Sequence, residues 1–159
     1  MGLRASKAMD AVSVSFNPWP VTISHDGGMT LESRHLSERI GRPADEVYAY
    51  ASDPANLPRW APGLGNSVEQ VDGQWFVETP AGRVRVAFAP RNDFGILDHY
   101  VTLSSGEVIY IPFRVIADDS GSEVLFTLRR RPGMTDAEFE ADVNAVVADL
   151  ARLKHVMGG

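Results

Sequence analysis

His99 is the residue of this sequence whose position most favours chemistry in a buried site. It lies in the segment LDHYVTL, residues 97–103, where apolar and polar residues alternate as in a half-buried β-strand. The alternation puts His99 on the apolar side with Leu97 and Val101. Such an imidazole is either a core histidine hydrogen-bonded to a neighbour, or a donor or base aimed at a ligand. Asp98 points the other way, so the Asp98-His99 pair is not by itself an orienting dyad.

Arg114 and Tyr110 are further candidates, on the strand-like run 107–117. Alternation sends both side chains to the polar face of that run. Pro112 cannot donate to a β-ladder, however, so it marks a strand edge or a bulge, and a bulge would turn Arg114 inward. A guanidinium inside an apolar pocket would select a carboxylate or an enolate. For Glu38 we expect a solvated position, with an inward carboxylate on the first strand as the alternative.

The sequence predicts no metal site and no cofactor. It has no cysteine, and its four histidines lie on unrelated elements without the spacing of metal ligands: His25, His35, His99 and His155. The segment Gly63-Leu64-Gly65 has no helix after it, so it is not a phosphate-binding loop.

The composition describes one domain with an acidic surface. The chain has 159 residues, of which 44% are hydrophobic, and a formal net charge of -6 from 21 acidic and 15 basic residues. That balance argues against a nucleic-acid partner, which needs a basic face. No run approaches the roughly 20 apolar residues of a membrane span. We therefore expect a cytoplasmic protein without a membrane span, as a monomer or homodimer.

Residues 1–28 are predicted to be a flexible tail before a single domain, residues 29–159. The tail contains Pro18, Pro20 and a Gly-Gly pair, and only one short alternating patch, so it offers little to a packed core. Met29, directly before the first sustained strand pattern, is an alternative start of the chain.

The next hundred residues predict one strand, two short helices and six further strands. The first strand covers 31–40, and the helices begin at Pro43 and at Asp53-Pro54, where proline fits the first turn. The remaining strand patterns are separated by short turns, which predicts an antiparallel meander. They are 68–71, 74–78, 83–88, 97–103, 107–117 and 123–130.

A long amphipathic helix is predicted from Asp136 to Met157. Thr135 and Glu138 form a T-x-x-E capping box at its start. At 1.5 Å per residue the helix would run about 30 Å, enough to cross a curved sheet. Its apolar stripe is Phe139, Val143, Val146, Val147, Leu150, Leu153 and Met157. The predicted fold class is thus α+β, with a seven-stranded antiparallel sheet wrapped round this helix and two short helices after the first strand.

Three stretches of the sequence carry a family resemblance. They are RPADEVYAYASDPANLPRWAPG, FGILDHYVTLSSGEVIYIPFRV and TLRRRPGMTDAEFEADVNAVVADLARLK. The order of elements resembles the helix-grip fold of the START-like (SRPBCC) superfamily, and these stretches are similar to bacterial members of its polyketide cyclase/dehydrase and lipid-transport family. The resemblance covers about residues 31–157. It implies a ligand cavity between the sheet and the long helix, closed by the two short helices.

This implied cavity defines the expected site. The ligand-binding residues are expected to be Trp60, Val86, Phe88, His99, Val101, Phe126, Val143 and Val147, with Trp60 mainly as a lid. The catalytic candidates are His99 and Arg114.

Three functions remain open at this point. The first is binding of a small hydrophobic or aromatic molecule, such as a lipid, a polyketide or a related metabolite. The second is a cyclase, aromatase or dehydratase-type enzyme that uses the same cavity. The third is a regulatory or chaperone-interacting module with an outer working surface. The family includes all three kinds, so the resemblance supplies no universal catalytic set.

Overall fold

Residues 32–158, the part of the chain that the computed structural model describes, form eight β-strands and three α-helices. The prediction of a tail over 1–28 falls outside these described residues. In chain order the elements are β1 Ser33–Ile40, α1 Ala44–Ala51, a 3-10 turn Pro54–Asn56, α2 Leu57–Trp60, β2 Ser67–Val71, β3 Gln74–Thr79, β4 Gly82–Phe88, β5 His99–Thr102, β6 Val108–Ile111, β7 Phe113–Asp118, β8 Gly121–Arg129 and α3 Asp136–Val156.

The two short helices begin where aspartate and proline predict them. Asp53 accepts a hydrogen bond from the backbone N–H of Ala55 at 3.0 Å, and Pro54 occupies the first position of the 3-10 turn. This turn runs directly into α2, which buries Leu57 and Trp60. The helices therefore cover one end of the sheet with apolar side chains.

The strands form two hydrogen-bonded antiparallel sheets, so the prediction of one seven-stranded sheet is wrong in detail. One sheet has the order β1-β8-β7 and the other β2-β3-β4-β5-β6. The predicted run 107–117 is divided at Pro112, because proline has no N–H for the ladder. The carbonyl of Pro112 still accepts a hydrogen bond from Thr127 N at 2.9 Å. Consequently β6 pairs with β5, whereas β7 pairs with β8.

The segment that precedes β5 links the two sheets. Leu97 N donates to Phe113 O at 2.9 Å, and Ile96 forms an antiparallel bridge with Arg114. His99 of β5 is paired with Ile111 of β6. The pairing of Ile96 with Arg114 continues the same register on the other side of Pro112. The division at Pro112 therefore adds no bulge, and the side chains before and after it keep their faces.

Helix α3 begins at the predicted capping box. The Thr135 side chain accepts from Glu138 N at 3.2 Å, and the Glu138 carboxylate accepts from Thr135 N at 2.7 Å. The helix packs on β1 and on α2, and Arg152 Nε donates to the carbonyl of Arg59 at 2.8 Å. Its buried side chains are Phe139, Val143, Leu150 and Leu153.

Val147 does not belong to the buried stripe of α3, contrary to the prediction. Its side chain is 50% exposed. Successive helix residues turn by about 100°, so Val147 points almost opposite to Asp149, two residues further on. The apolar stripe predicted from the sequence of α3 is therefore wider than the face of the helix that the sheet covers.

We predict that Gly95→Ala destabilises the fold strongly, because Gly95 has a positive φ of 69° and a Cβ there would overlap the Val115 carbonyl oxygen. The expected loss in the free energy of unfolding is about 3 kcal/mol or more, from backbone strain together with the steric conflict. Urea unfolding of both proteins would measure it.

The matched control is Gly106→Ala. Gly106 also has a positive φ, 89°, but nothing lies within 4 Å of an added Cβ. It should cost only about 1 kcal/mol. Equal losses in the two variants would show that contact between the added Cβ and the Val115 carbonyl oxygen contributes nothing.

Candidate functional site

A cavity of about 210 Å³ lies between the strands and helices α2 and α3. We call it the inner cavity. Its strand wall is formed by alternating residues of three strands, namely Val86 and Phe88 of β4, His99 and Val101 of β5, and Phe126 and Leu128 of β8. Because side chains alternate along a strand, the two residues of each strand point to the same side, and the two sheets together form the wall. Apart from His99, this wall is hydrocarbon.

The helices close the inner cavity with both apolar and acidic side chains. Trp60 of α2 is 4% exposed and contacts the Phe113 ring, with ring centroids 5.9 Å apart. Helix α3 contributes Val146 together with Asp142 and Asp149. The cavity is therefore apolar on the strand side and carries carboxylates on the helix side.

Six of the eight expected ligand-binding residues line the inner cavity, and their role in binding stays a prediction. They are Trp60, Val86, Phe88, His99, Val101 and Phe126. Val143 is buried without lining the cavity, and Val147 is half exposed on the far side of α3. Val143 and Val147 are misplaced in the prediction because α3 faces the cavity with one flank of its apolar stripe, and neither residue lies on that flank.

His99 is 7% exposed and lies among aromatic rings. Its ring centroid is 4.9 Å from Phe88, 6.3 Å from Phe126 and 6.4 Å from Phe113. Its Nδ1 lies 2.9 Å from the carbonyl oxygen of Leu97. Since a carbonyl oxygen only accepts, Nδ1 carries the proton, and the neutral ring keeps the Nε2 lone pair as an acceptor.

Burial lowers the pKa of His99 from 6.5 to about 4, although the hydrogen bond to Leu97 acts in the opposite direction. The imidazole is therefore uncharged at neutral pH. A neutral ring can accept a proton or a hydrogen bond at Nε2, but it cannot serve there as a cationic anchor for an anion.

Asp98 organises a separate polar cluster on the opposite face of the strand. Its buried carboxylate accepts hydrogen bonds from the Tyr110 hydroxyl, from Phe113 N at 2.9 Å and from the Arg114 guanidinium. Burial, with the neighbouring Tyr100, raises the pKa of Tyr110. Arg114 therefore lies on the outer face, as alternation predicts, and the alternative of a bulge at Pro112 that turns it inward is wrong. It is not a catalytic candidate in the cavity.

Glu38 takes the alternative position, with its carboxylate on the inner face of β1, where it is engaged in an ion pair. It lies on the helix-facing side of β1, where its carboxylate accepts from Lys154 Nζ at 2.8 Å. The pair joins β1 to the last turns of α3. Glu38 does not line the inner cavity, so it is part of the helix packing.

Asp149 is the cavity residue that sequence reasoning missed. Its carboxylate accepts from Gly63 N at 3.3 Å, and burial raises its pKa from 3.8 to about 6, with Gly63 and Arg152 acting in the opposite direction. A sequence signal for it exists: Asp142, Val146 and Asp149 are spaced i, i+4, i+7. This spacing puts acidic residues on one flank of an apolar stripe.

The inner cavity adjoins a larger depression of about 690 Å³, which we call the outer cleft. The two share wall residues from several elements: Gly63, Leu64, Val101, Ile111, Leu128 and Asp142. The outer cleft is lined by β6 and by the end of β8, two strands that belong to different sheets. The shared wall residues place it directly beside the inner cavity.

The described residues show neither a membrane-spanning helix nor a cluster of metal ligands. No helix within 32–158 combines the length and the apolar character needed to cross a membrane. In the same part of the chain, no three histidine, aspartate or glutamate side chains come together as metal ligands would.

Solved structures resemble this chain at low sequence identity. An uncharacterised protein from Bacillus thuringiensis matches with a TM-score of 0.65 and 16% identity, over 80% of this chain and 100% of that one. DynU16, a protein in the dynemicin biosynthetic locus, matches with a TM-score of 0.60 and 14% identity, over 79% of this chain and 47% of that one. Ara h 8.0201 matches with a TM-score of 0.55 and 9% identity, over 80% and 98%.

These likenesses show the fold of the chain. It is an α+β arrangement of antiparallel strands and a long C-terminal helix, which fits the helix-grip fold. No family model matches the sequence, and no curated protein matches it either. The function therefore has to be argued from the site.

We predict that His99 titrates with a midpoint near pH 4 in the folded protein, because burial disfavours its charged form. The NMR shift of its ring protons against pH would show this. The unfolded state binds the proton at its ordinary pKa of 6.5, so folding stability falls as pH decreases from about 6.5 to 4. The full loss is about 3 kcal/mol.

The matched variant for this prediction is His99→Phe, which keeps an aromatic ring among Phe88, Phe113 and Phe126. As pH decreases from about 6.5 to 4, the variant should not show the loss of about 3 kcal/mol in the free energy of unfolding that His99 causes in the original protein. A His99 midpoint near 6.5 would show instead that the ring is hydrated.

We further predict that Arg114→Met lowers stability by about 2 kcal/mol, because it leaves the buried Asp98 carboxylate without its cation. The value lies below that of a fully buried pair because the Arg114 side chain is 37% exposed. Arg39→Met, at an exposed ion pair with Asp118, is the control and should cost about 0.5 kcal/mol or less. Equal effects in chemical denaturation would mean that the Asp98 cluster contributes little.

Proposed function

We propose that this protein binds a small apolar or aromatic molecule in the inner cavity. The observation that carries the proposal is a cavity whose strand wall is apolar except for one buried, uncharged imidazole. Binding sites for small molecules combine such walls with a few placed polar groups. The aromatic rings round His99 add flat surfaces against which a planar ligand can stack.

The volume of the inner cavity restricts the ligand to a small compound. An apolar cavity of about 150 Å³ is enough to hold benzene. The 210 Å³ found here therefore suits a substituted single ring or a fused pair of rings. Any longer substituent would extend into the outer cleft.

A second candidate is an enzyme that uses general acid and base groups in the same cavity. The observation that favours it is the pair His99 and Asp149, whose pKa values are shifted in opposite directions, to about 4 and about 6. Such separation is typical of sites that contain one acid and one base. Arg114 has no part in this candidate, because it binds Asp98 on the other face.

A partner-binding module has less support. The large exposed apolar side chains of the described residues lie on β2, before β5, on β6, on β7 and on α3: Val71, Phe94, Val108, Ile116, Val147 and Val156. A docking surface would bring such residues together in one patch.

We predict that Ala145→Trp abolishes or strongly weakens binding of naphthalene, a probe of suitable size, because Ala145 lines the inner cavity from α3. The indole would occupy the ligand space. We expect the dissociation constant to rise about tenfold or more, as binding loses at least 1.4 kcal/mol. Equilibrium dialysis with naphthalene would measure this, and native mass spectrometry would test whether a small molecule copurifies.

Ala148→Trp is the matched control: both alanines are exposed on the same helix, but only Ala145 of the two lines the cavity. It should bind naphthalene like the original protein. Circular dichroism would establish that both variants are folded. Failure of the original protein to bind any small aromatic compound would refute the proposed function.

A further inference from the structure

We propose that the inner cavity selects aromatic compounds that carry a hydrogen-bond donor, such as phenols or arylamines, and rejects aromatic carboxylates. The inference deepens the proposed function and rests on it. It depends on two features that lie on different elements: the free acceptor atom of His99 on β5, and the acidic flank of α3.

The first feature is the orientation of the His99 hydrogen bonds. Nδ1–H donates to Leu97 O, and this is the hydrogen bond that the ring makes within the described residues. The imidazole is 93% buried, stays neutral and lines the inner cavity, so Nε2 offers a lone pair in an apolar setting. A ligand hydroxyl or amino group can donate to that lone pair, whereas a carbonyl, an ether or a carboxylate cannot.

The second feature is the charge of the cavity wall. Its ionisable residues, besides His99, are Asp142 and Asp149, and the wall includes no lysine or arginine. An anionic ligand would lose its hydration on entry without gaining a cation in return. An ionised Asp149 would also repel it across a medium of lower dielectric constant than water. A neutral donor avoids both costs, and an amine would gain from the carboxylates.

The size of the cavity allows both features to be tested with one ring system. The test uses four naphthalene compounds at pH 7.5: naphthalene, 2-naphthol, 2-methoxynaphthalene and 2-naphthoate. The naphthol and its methyl ether differ in the donor hydrogen, and naphthoate adds a negative charge. Dissociation constants would come from equilibrium dialysis or fluorescence titration of the full chain.

We expect 2-naphthol to bind about tenfold more tightly than 2-methoxynaphthalene, the effect of one buried hydrogen bond. We expect 2-naphthoate to bind weakest of the four, by about tenfold or more relative to 2-naphthol. In His99→Phe the preference for the naphthol over its methyl ether should disappear, while naphthalene still binds. This pattern would assign the donor preference to His99.

The charge argument has its own pair of variants. Asp149→Asn should improve binding of 2-naphthoate several-fold, because it removes a negative charge from the wall and keeps an oxygen that can accept from Gly63 N. Asp119→Asn removes the same charge from the exposed turn between β7 and β8 and should leave naphthoate binding unchanged.

The outcomes separate this inference from the proposed function. Naphthalene binding with equal affinities for 2-naphthol and its methyl ether, or with 2-naphthoate the tightest ligand, would overturn the inference and leave the proposed function standing. No binding of any of the four compounds would overturn the proposed function itself. The comparison within the original protein decides the inference even if His99→Phe fails to fold.

Discussion

The buried carboxylate of Asp98 holds together the place where this sheet is interrupted. Pro112 divides β6 from β7 and supplies no N–H to the ladder. Directly after Pro112, the backbone N–H of Phe113 and the guanidinium of Arg114 donate to Asp98. The hydroxyl of Tyr110, two residues before the proline, donates to the same carboxylate. One side chain thus binds both sides of the interruption. A buried charge with these partners is costly to disturb, since removing the cation leaves the carboxylate uncompensated.

The orientation of His99 depends on this arrangement. Neighbouring side chains of a strand point to opposite faces, so fixing Asp98 on the outer face directs His99 into the cavity. A slip of one residue would exchange them, placing a carboxylate among Phe88, Phe113 and Phe126. The Asp98 cluster therefore acts on the cavity without touching it, by holding the register of the strand that carries the imidazole.

Much of the fold follows from local sequence signals, and the interruption shows where these stop. The capping box at Thr135, the Asp53-Pro54 turn and the alternation in 97–103 are each determined by neighbouring residues, and the structure has all three. Pro112 was expected to mark an edge or a bulge. Its actual effect is a change of partner strand, which depends on hydrogen bonds from Thr127 and Leu97 that no local pattern contains.

The misplacements within the candidate site have a similar cause. Helical periodicity gives the direction of an apolar stripe, but its width depends on which flank the sheet covers. The flank that lines the cavity is the one with 142, 145 and 149, so Val147 lies away from it and Asp149 lies on it. Alternation puts Arg114 on the outer face, but the sequence does not decide whether Pro112 introduces a bulge that would turn it inward. The pairing of Ile96 with Arg114 shows that Pro112 introduces no bulge.

An imidazole inside an apolar cavity needs a physical reason, and its hydrogen bonds supply one. A leucine at position 99 would continue the alternation without the desolvation that lowers the pKa of His99 to about 4. A histidine kept for stability alone would be expected to have both ring nitrogens paired, since buried polar atoms nearly always are. Here the chain pairs Nδ1 with a carbonyl two residues away, and the ring lines the cavity. The local bond to Leu97 fixes the tautomer, and the fixed tautomer makes Nε2 an acceptor. The proposed recognition of a hydrogen-bond donor therefore needs both the cavity and the histidine.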